Sequence, residues 1–100
     1  MNLPSISKIT DNSFSVSGEL NMQTVPAIST KSRQLFSGLA GTLTIDLSGV
    51  SRADSAGLAL MIDWLRVARR NQFRLQFMGL PEQLLQIARV SELQQILPIK

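Results

Sequence analysis

The segment Thr42 to Leu47 (TLTIDL) sets Leu43, Ile45 and Leu47 against Thr42, Thr44 and Asp46, a strict period of two. Such alternation is the mark of a strand with one buried and one polar face. The same period recurs in Ser13 to Leu20, where Phe14 and Val16 alternate with Ser13, Ser15 and Ser17, and in Phe73 to Met78, where Phe73, Leu75 and Phe77 alternate with Arg74 and Gln76. A parallel sheet covered by helices on both sides would instead show near-continuous apolar strands. The helices are therefore expected mainly on one face.

Between the strands the spacing changes to helical. Ser5 to Thr10 and Ser13 to Leu20 form an opening strand pair around the turn-prone Asp11-Asn12. Thr24 is expected to cap a first helix from about Val25 to Ser37, with Pro26 in the first turn and Ile28, Ser32, Leu35 and Leu39 on one side until Gly38 and Gly41 intervene. A loop at Ser48 to Ala53 leads to a second helix from Ser55 to about Arg70, and Pro81 opens a third to Val90. Ser91-Glu92 is read as restarting the chain into a short last helix carrying Leu93, Ile96 and Leu97. The order β-β-α-β-α-β-α-α implies an α/β domain with a mixed four-stranded sheet and right-handed crossovers. At 100 residues without a linker or repeat, positions 1–100 are expected to be one domain.

The chain has neither His nor Cys. Ser-His-Asp and Cys-His nucleophiles, Cys/His zinc sites and CxxC redox chemistry are therefore closed to it. Met1 to Asp11 shows no basic stretch followed by an apolar run, and the apolar segment Ala56 to Ile62 ends at Asp63. This leads to the expectation of a cytoplasmic domain with no signal peptide and no span.

Asp54-Ser55 stands where a strand-to-helix loop becomes a helix. Both residues are preferred capping types, so capping alone accounts for them. Gly57 in the first turn costs about 1 kcal/mol against Ala and signals close backbone approach, by the sheet or by a partner. In the second helix Leu58, Met61, Ile62, Leu65 and Ala68 form one apolar stripe, assigned to the core, while Leu60, Trp64 and Val67 form another. A wide buried face and an exposed apolar anchor beside Ser55 both account for that second stripe.

Gly18-Glu19-Leu20, the run Ile45 to Ser51, the turn Asp54-Ser55-Ala56-Gly57-Leu58 and the tail Leu84 to Leu93 together resemble the STAS domain family, named after sulphate transporters and anti-sigma-factor antagonists. Within it, Val50 to Met61 and the ending Ile96-Leu97-Pro98 look most like the small STAS subunit of the bacterial Mla phospholipid-transport ABC complex. The resemblance implies a STAS-like (SpoIIAA-like) sheet. It also implies a non-enzymatic module that binds and regulates or stabilises the cytoplasmic ATPase subunit of a complex maintaining outer-membrane lipid asymmetry. That places the domain in the cytoplasm, peripheral to the inner membrane. Ser55, Asp54, Ala56, Gly57, Leu60 and Trp64 are the expected partner-binding residues.

The alternative within the family is an anti-sigma-factor antagonist, in which the hydroxyl after this Asp, here Ser55, is the phosphoacceptor of a partner serine kinase. Two departures bear on it. Asn21 stands where many relatives carry Asp, and Ala56 where sigma-regulating proteins carry a second Ser or Thr.

Other functions have weaker footing. Asp46, Asp54 and Asp63 would hold Mg²⁺ only if they converged, and no GxxxxGK[ST] phosphate loop is present. No cofactor or metal is therefore expected. Arg66, Arg69, Arg70 and Arg74 cluster near the end of the second helix, but the net charge is only +3 and no aromatic residues interleave with them, so nucleic acid is not an expected partner. An acidic partner or the anionic inner leaflet would suit that cluster better. A homodimer of the isolated chain, through a strand edge or the Trp64 stripe, is a further expectation.

Overall fold

The computed structural model describes residues 4–100; Met1 to Leu3, part of the segment read for a leader and of the one-domain expectation, lie outside the described residues. The elements are β1 (Ser5–Thr10), β2 (Ser13–Leu20), α1 (Val25–Phe36), β3 (Thr42–Ala53), α2 (Ser55–Asn71), β4 (Arg74–Met78) and α3 (Glu82–Val90). The sheet order is β1-β2-β3-β4, with β1 antiparallel to β2 and the β2–β3 and β3–β4 pairs parallel.

Alternation along the strands becomes a two-sided sheet. Phe14, Val16, Leu43, Ile45, Leu47, Leu75 and Phe77 are buried on one side, together with Ile6 of β1, in a core completed by the helices. The opposite side carries Ser13, Ser15, Ser17, Thr42, Thr44 and Asp46, all half-exposed, and among the described residues no helix covers it. Helix α2 is the middle one, packed against α1, α3 and β4. Phe36 of α1 meets Trp64 of α2 edge-on at 6.4 Å, and Trp64 stacks over Phe77 of β4 at 6.2 Å. One indole thereby ties α1 to the sheet.

Three expectations need correction. The stretch Ser48 to Ala53 is strand, since β3 runs on to Ala53 beside β2, through register shifts at Ser15/Ser17 and Gly18/Glu19. A Cβ on Gly49 would sit 3.0 Å from the carbonyl oxygen of Val16, so glycine is what lets the two strands stay this close. The last helix is absent. Glu92 takes a positive φ of 58° and the Leu93 amide turns back to the Ala88 carbonyl, which stops α3. A single turn then carries Leu97 into the core, and the tail runs along β4: Phe77 N donates to Pro98 O (2.8 Å) and Lys100 N to Phe77 O (2.7 Å). Thr24 does not cap α1 either. Its hydroxyl donates back to Glu19 O at 2.7 Å, and the Asn21 side chain takes the amides of Gln23 and Thr24 instead.

Candidate functional site

The β3–α2 junction is fixed from three directions. Asp54 has extended backbone (φ −117°, ψ −162°), and its Oδ1 accepts the Ala56 amide at 2.8 Å, closing the first turn of α2. Its own amide donates to Leu20 O at the end of β2 (3.2 Å). From α3, the Gln83 side-chain oxygen accepts the Ala53 amide at 2.8 Å. Ser55 is therefore presented as the first residue of α2 on a turn with little freedom. It is exposed, and its hydroxyl has no hydrogen-bond partner among the described residues. Ala56 beside it is half-buried.

The remaining expected site residues lie inward. Gly57 is buried, and a Cβ there would come within 3.1 Å of Leu84 Cδ2 and 3.4 Å of the Cβ atoms of Ala53 and Leu20. The close approach inferred from this glycine is thus made by α3 and by the ends of β2 and β3, with no room for a partner. Leu60 and Trp64 are each only 1% exposed, so the exposed-anchor reading of the second stripe is corrected: both are core. The buried face of α2 is centred between the two stripes because α1 and α3 flank the helix on either side. Ile62 and Leu65, assigned to the core stripe, sit at its margin, half-buried.

The apolar surface adjoining the junction is supplied by α3. Gln83, Gln86, Ile87 and Val90 recur at helical spacing and so share a face of that helix. Gln83 reaches the Asp54 turn. Val90, about 10 Å further along the axis, is 85% exposed. Sequence reasoning did not single out Val90, which follows Ile87 on that row, because its exposure depends on how α3 packs.

Electrostatically the junction is mild. A shallow depression of about 270 Å³ beside Asp54 is lined also by Glu19, Asn21, Arg52 and Gln83. Asn21 uses its side-chain oxygen as a carboxylate would, accepting from Gln23 N and Thr24 N, but without placing a second charge near Asp54. The three aspartates considered for a cation are separately engaged: Asp46 accepts from Ser48 N, Asp54 from Ala56 N, and Asp63 meets Arg33 and Ser29 on α1. Asp63 lies about 13 Å along α2 from Asp54. Among the described residues no three carboxylates gather into a metal-binding group, and no helix is long and apolar enough to cross a membrane.

A mixed four-stranded sheet with its helices on one face is a SpoIIAA-like fold. The anti-sigma-factor antagonist SpoIIAA in its unphosphorylated form aligns with a TM-score of 0.73 at 19% identity, covering 97% of this chain and 87% of that one. An anti-sigma-factor antagonist from Mycobacterium paratuberculosis aligns at 0.71 and 21% identity (96% and 82% covered), and RsbS from Moorella thermoacetica at 0.69 and 20% (97% and 85%). At these identities the likeness concerns the fold. No curated protein matches the chain. The family model described as "Mlab, STAS domain" matches residues 8–98, and the chain belongs to that family.

Proposed function

We propose that the chain is a non-enzymatic interaction subunit that binds the cytoplasmic ATPase of an inner-membrane phospholipid-transport (Mla) ABC complex and stabilises or regulates it. The domain then works in the cytoplasm, peripheral to the membrane through its partner. The observation that carries this reading is the family match over residues 8–98. Support comes from a hydrogen-bonded turn that presents a hydroxyl to which no base is hydrogen-bonded among the described residues. Ser55, with Asp54 and Ala56 beside it, forms the polar part of the docking surface, and Ile87 and Val90 of α3 supply the apolar contact that Leu60 and Trp64, being buried, do not. Co-purification of the chain with the ATPase, before and after Ser55→Arg, tests it: the bulky cation removes the complex without unfolding the domain.

A second reading is favoured by the fold shared with anti-sigma-factor antagonists. Ser55 is then phosphorylated by a partner kinase. The phosphate's −1.5 to −2 charges would fall at the positive end of the α2 dipole, stabilising the domain by roughly 0.3–1 kcal/mol while obstructing whatever docks there. Incubation with the cognate serine kinase gives a one-phosphate mass shift that Ser55→Ala abolishes. Absence of the shift removes this reading and leaves the first standing.

A further inference from the structure

The later turns of helix α2 border a second concave surface. Between Leu65 on its outer flank and Leu75 on β4 lies an open groove of about 650 Å³, closed at one side by Ile96 and Pro98 of the tail. Ile96 is 66% exposed there. The groove lining includes Arg66, Arg69 and Arg74 and no carboxylate, and among the described residues none of the three arginines takes part in an ion pair. Arg66 is about 16 Å along the helix from Ser55. The groove is therefore separate from the junction.

The strand beside it identifies the occupant. β4 is the outer strand of the sheet. The Arg74 amide donates inward to Gly41 O, whereas the Phe77 amide donates outward to Pro98 O. With a period of two, Leu75 turns its N–H and C=O outward as Phe77 does, yet the tail, which runs parallel to β4, joins the strand only at Phe77, and among the described residues no backbone hydrogen bond links it to Leu75. Among the described residues the Leu75 N–H and C=O thus have no backbone partner on the outer side of β4, where Leu75 lines the groove together with three arginines that form no ion pair. An acyl chain would satisfy the walls alone. A peptide backbone satisfies the strand edge as well, and carboxylates on it answer the arginines. The geometry points to a docking site for an extended acidic peptide segment of a partner protein, added along β4 at Leu75 with apolar side chains in the groove and acidic ones at Arg66 and Arg69.

The test is a titration of the ¹⁵N-labelled full chain with the acetylated peptide Glu-Leu-Glu-Val-Glu-Leu-Glu, its counterpart with Lys in place of every Glu, and vesicles of phosphatidylethanolamine and phosphatidylglycerol. The acidic peptide produces saturable shifts at the Leu75 amide and at Leu65 and Ile96. Binding weakens at least about tenfold in Arg66→Glu/Arg69→Glu, whose substitutions are on exposed side chains, and also weakens in Ile96→Ser. Ser55→Arg leaves it unchanged, so failure at the junction and failure at the groove are distinguishable. The proposal is overturned if the Leu75 amide does not respond, if the Lys peptide binds equally well, or if the vesicles bind and the acidic peptide does not.

Discussion

The indole Nε1 of Trp64 donates a 2.8 Å hydrogen bond to the hydroxyl of Ser32, the buried polar side chain of α1. The Ser32 hydroxyl in turn donates to Ser29 O at 2.7 Å, so both groups are satisfied inside the apolar core. This contact fixes α2 against α1 and explains why a serine occupies the apolar stripe Ile28-Ser32-Leu35.

Removing the acceptor leaves an indole N–H buried without a partner. Ser32→Ala is expected to cost about 1–3 kcal/mol in urea unfolding followed by far-UV circular dichroism. In a double-mutant cycle, Ser32→Ala combined with Trp64→Phe costs less than the sum of the single changes, because the second substitution removes the stranded donor. Strict additivity would show that the bond contributes nothing.

Asp54 caps α2 through one side-chain bond, to Ala56 N. Asp54→Ala should therefore destabilise by about 0.5–2 kcal/mol, whereas Asp54→Asn, which keeps the acceptor, stays within about 0.5 kcal/mol of the parent. If the carboxylate serves only as a cap, Asp54→Asn also binds the ATPase as the parent does. Equilibrium unfolding and co-purification of the two variants read these effects separately.

Much of this arrangement was legible in the residues. Alternation locates β2, the first half of β3 and β4, the Asp11-Asn12 turn sets β1 apart from β2, and Asp54 is a cap by type and position. What was not legible depends on contacts distant in sequence. The depth of Leu60 and Trp64 follows from α1 and α3 flanking α2 on both sides, which periodicity along one helix does not report. Thr24 looks like a cap locally, but Glu19 O competes for its hydroxyl. Ser91 to Leu97 has helical spacing, yet the pairing of Phe77 with the tail and the burial of Leu97 win over one more helical turn. At the candidate site, residue type and neighbours single out Ser55, and the structure places it exposed at the start of α2. The apolar Ile87–Val90 surface becomes apparent only once Gln83 is seen to reach Ala53.

The tail is a structural element although it forms no helix. Leu97 is buried, and Pro98 to Lys100 cover the outer edge of β4 at Phe77. Leu97→Ala is expected to cost about 2–4 kcal/mol, measured as a lowered denaturant midpoint. Truncation after Gln95 goes further by opening the strand edge, and it is expected to cause concentration-dependent association in size-exclusion chromatography. A truncated chain that remained as stable and as monodisperse as the parent would contradict this role.

The central claim is that the domain works by being bound at the Ser55 end of α2. Isothermal titration of the purified chain into the ATPase subunit, compared with Ser55→Arg of unchanged unfolding midpoint, tests it most directly. Saturable binding is expected for the parent and its loss for the variant, with no measurable change in fold. Equal affinity of the two proteins, or no binding by the parent, would contradict it.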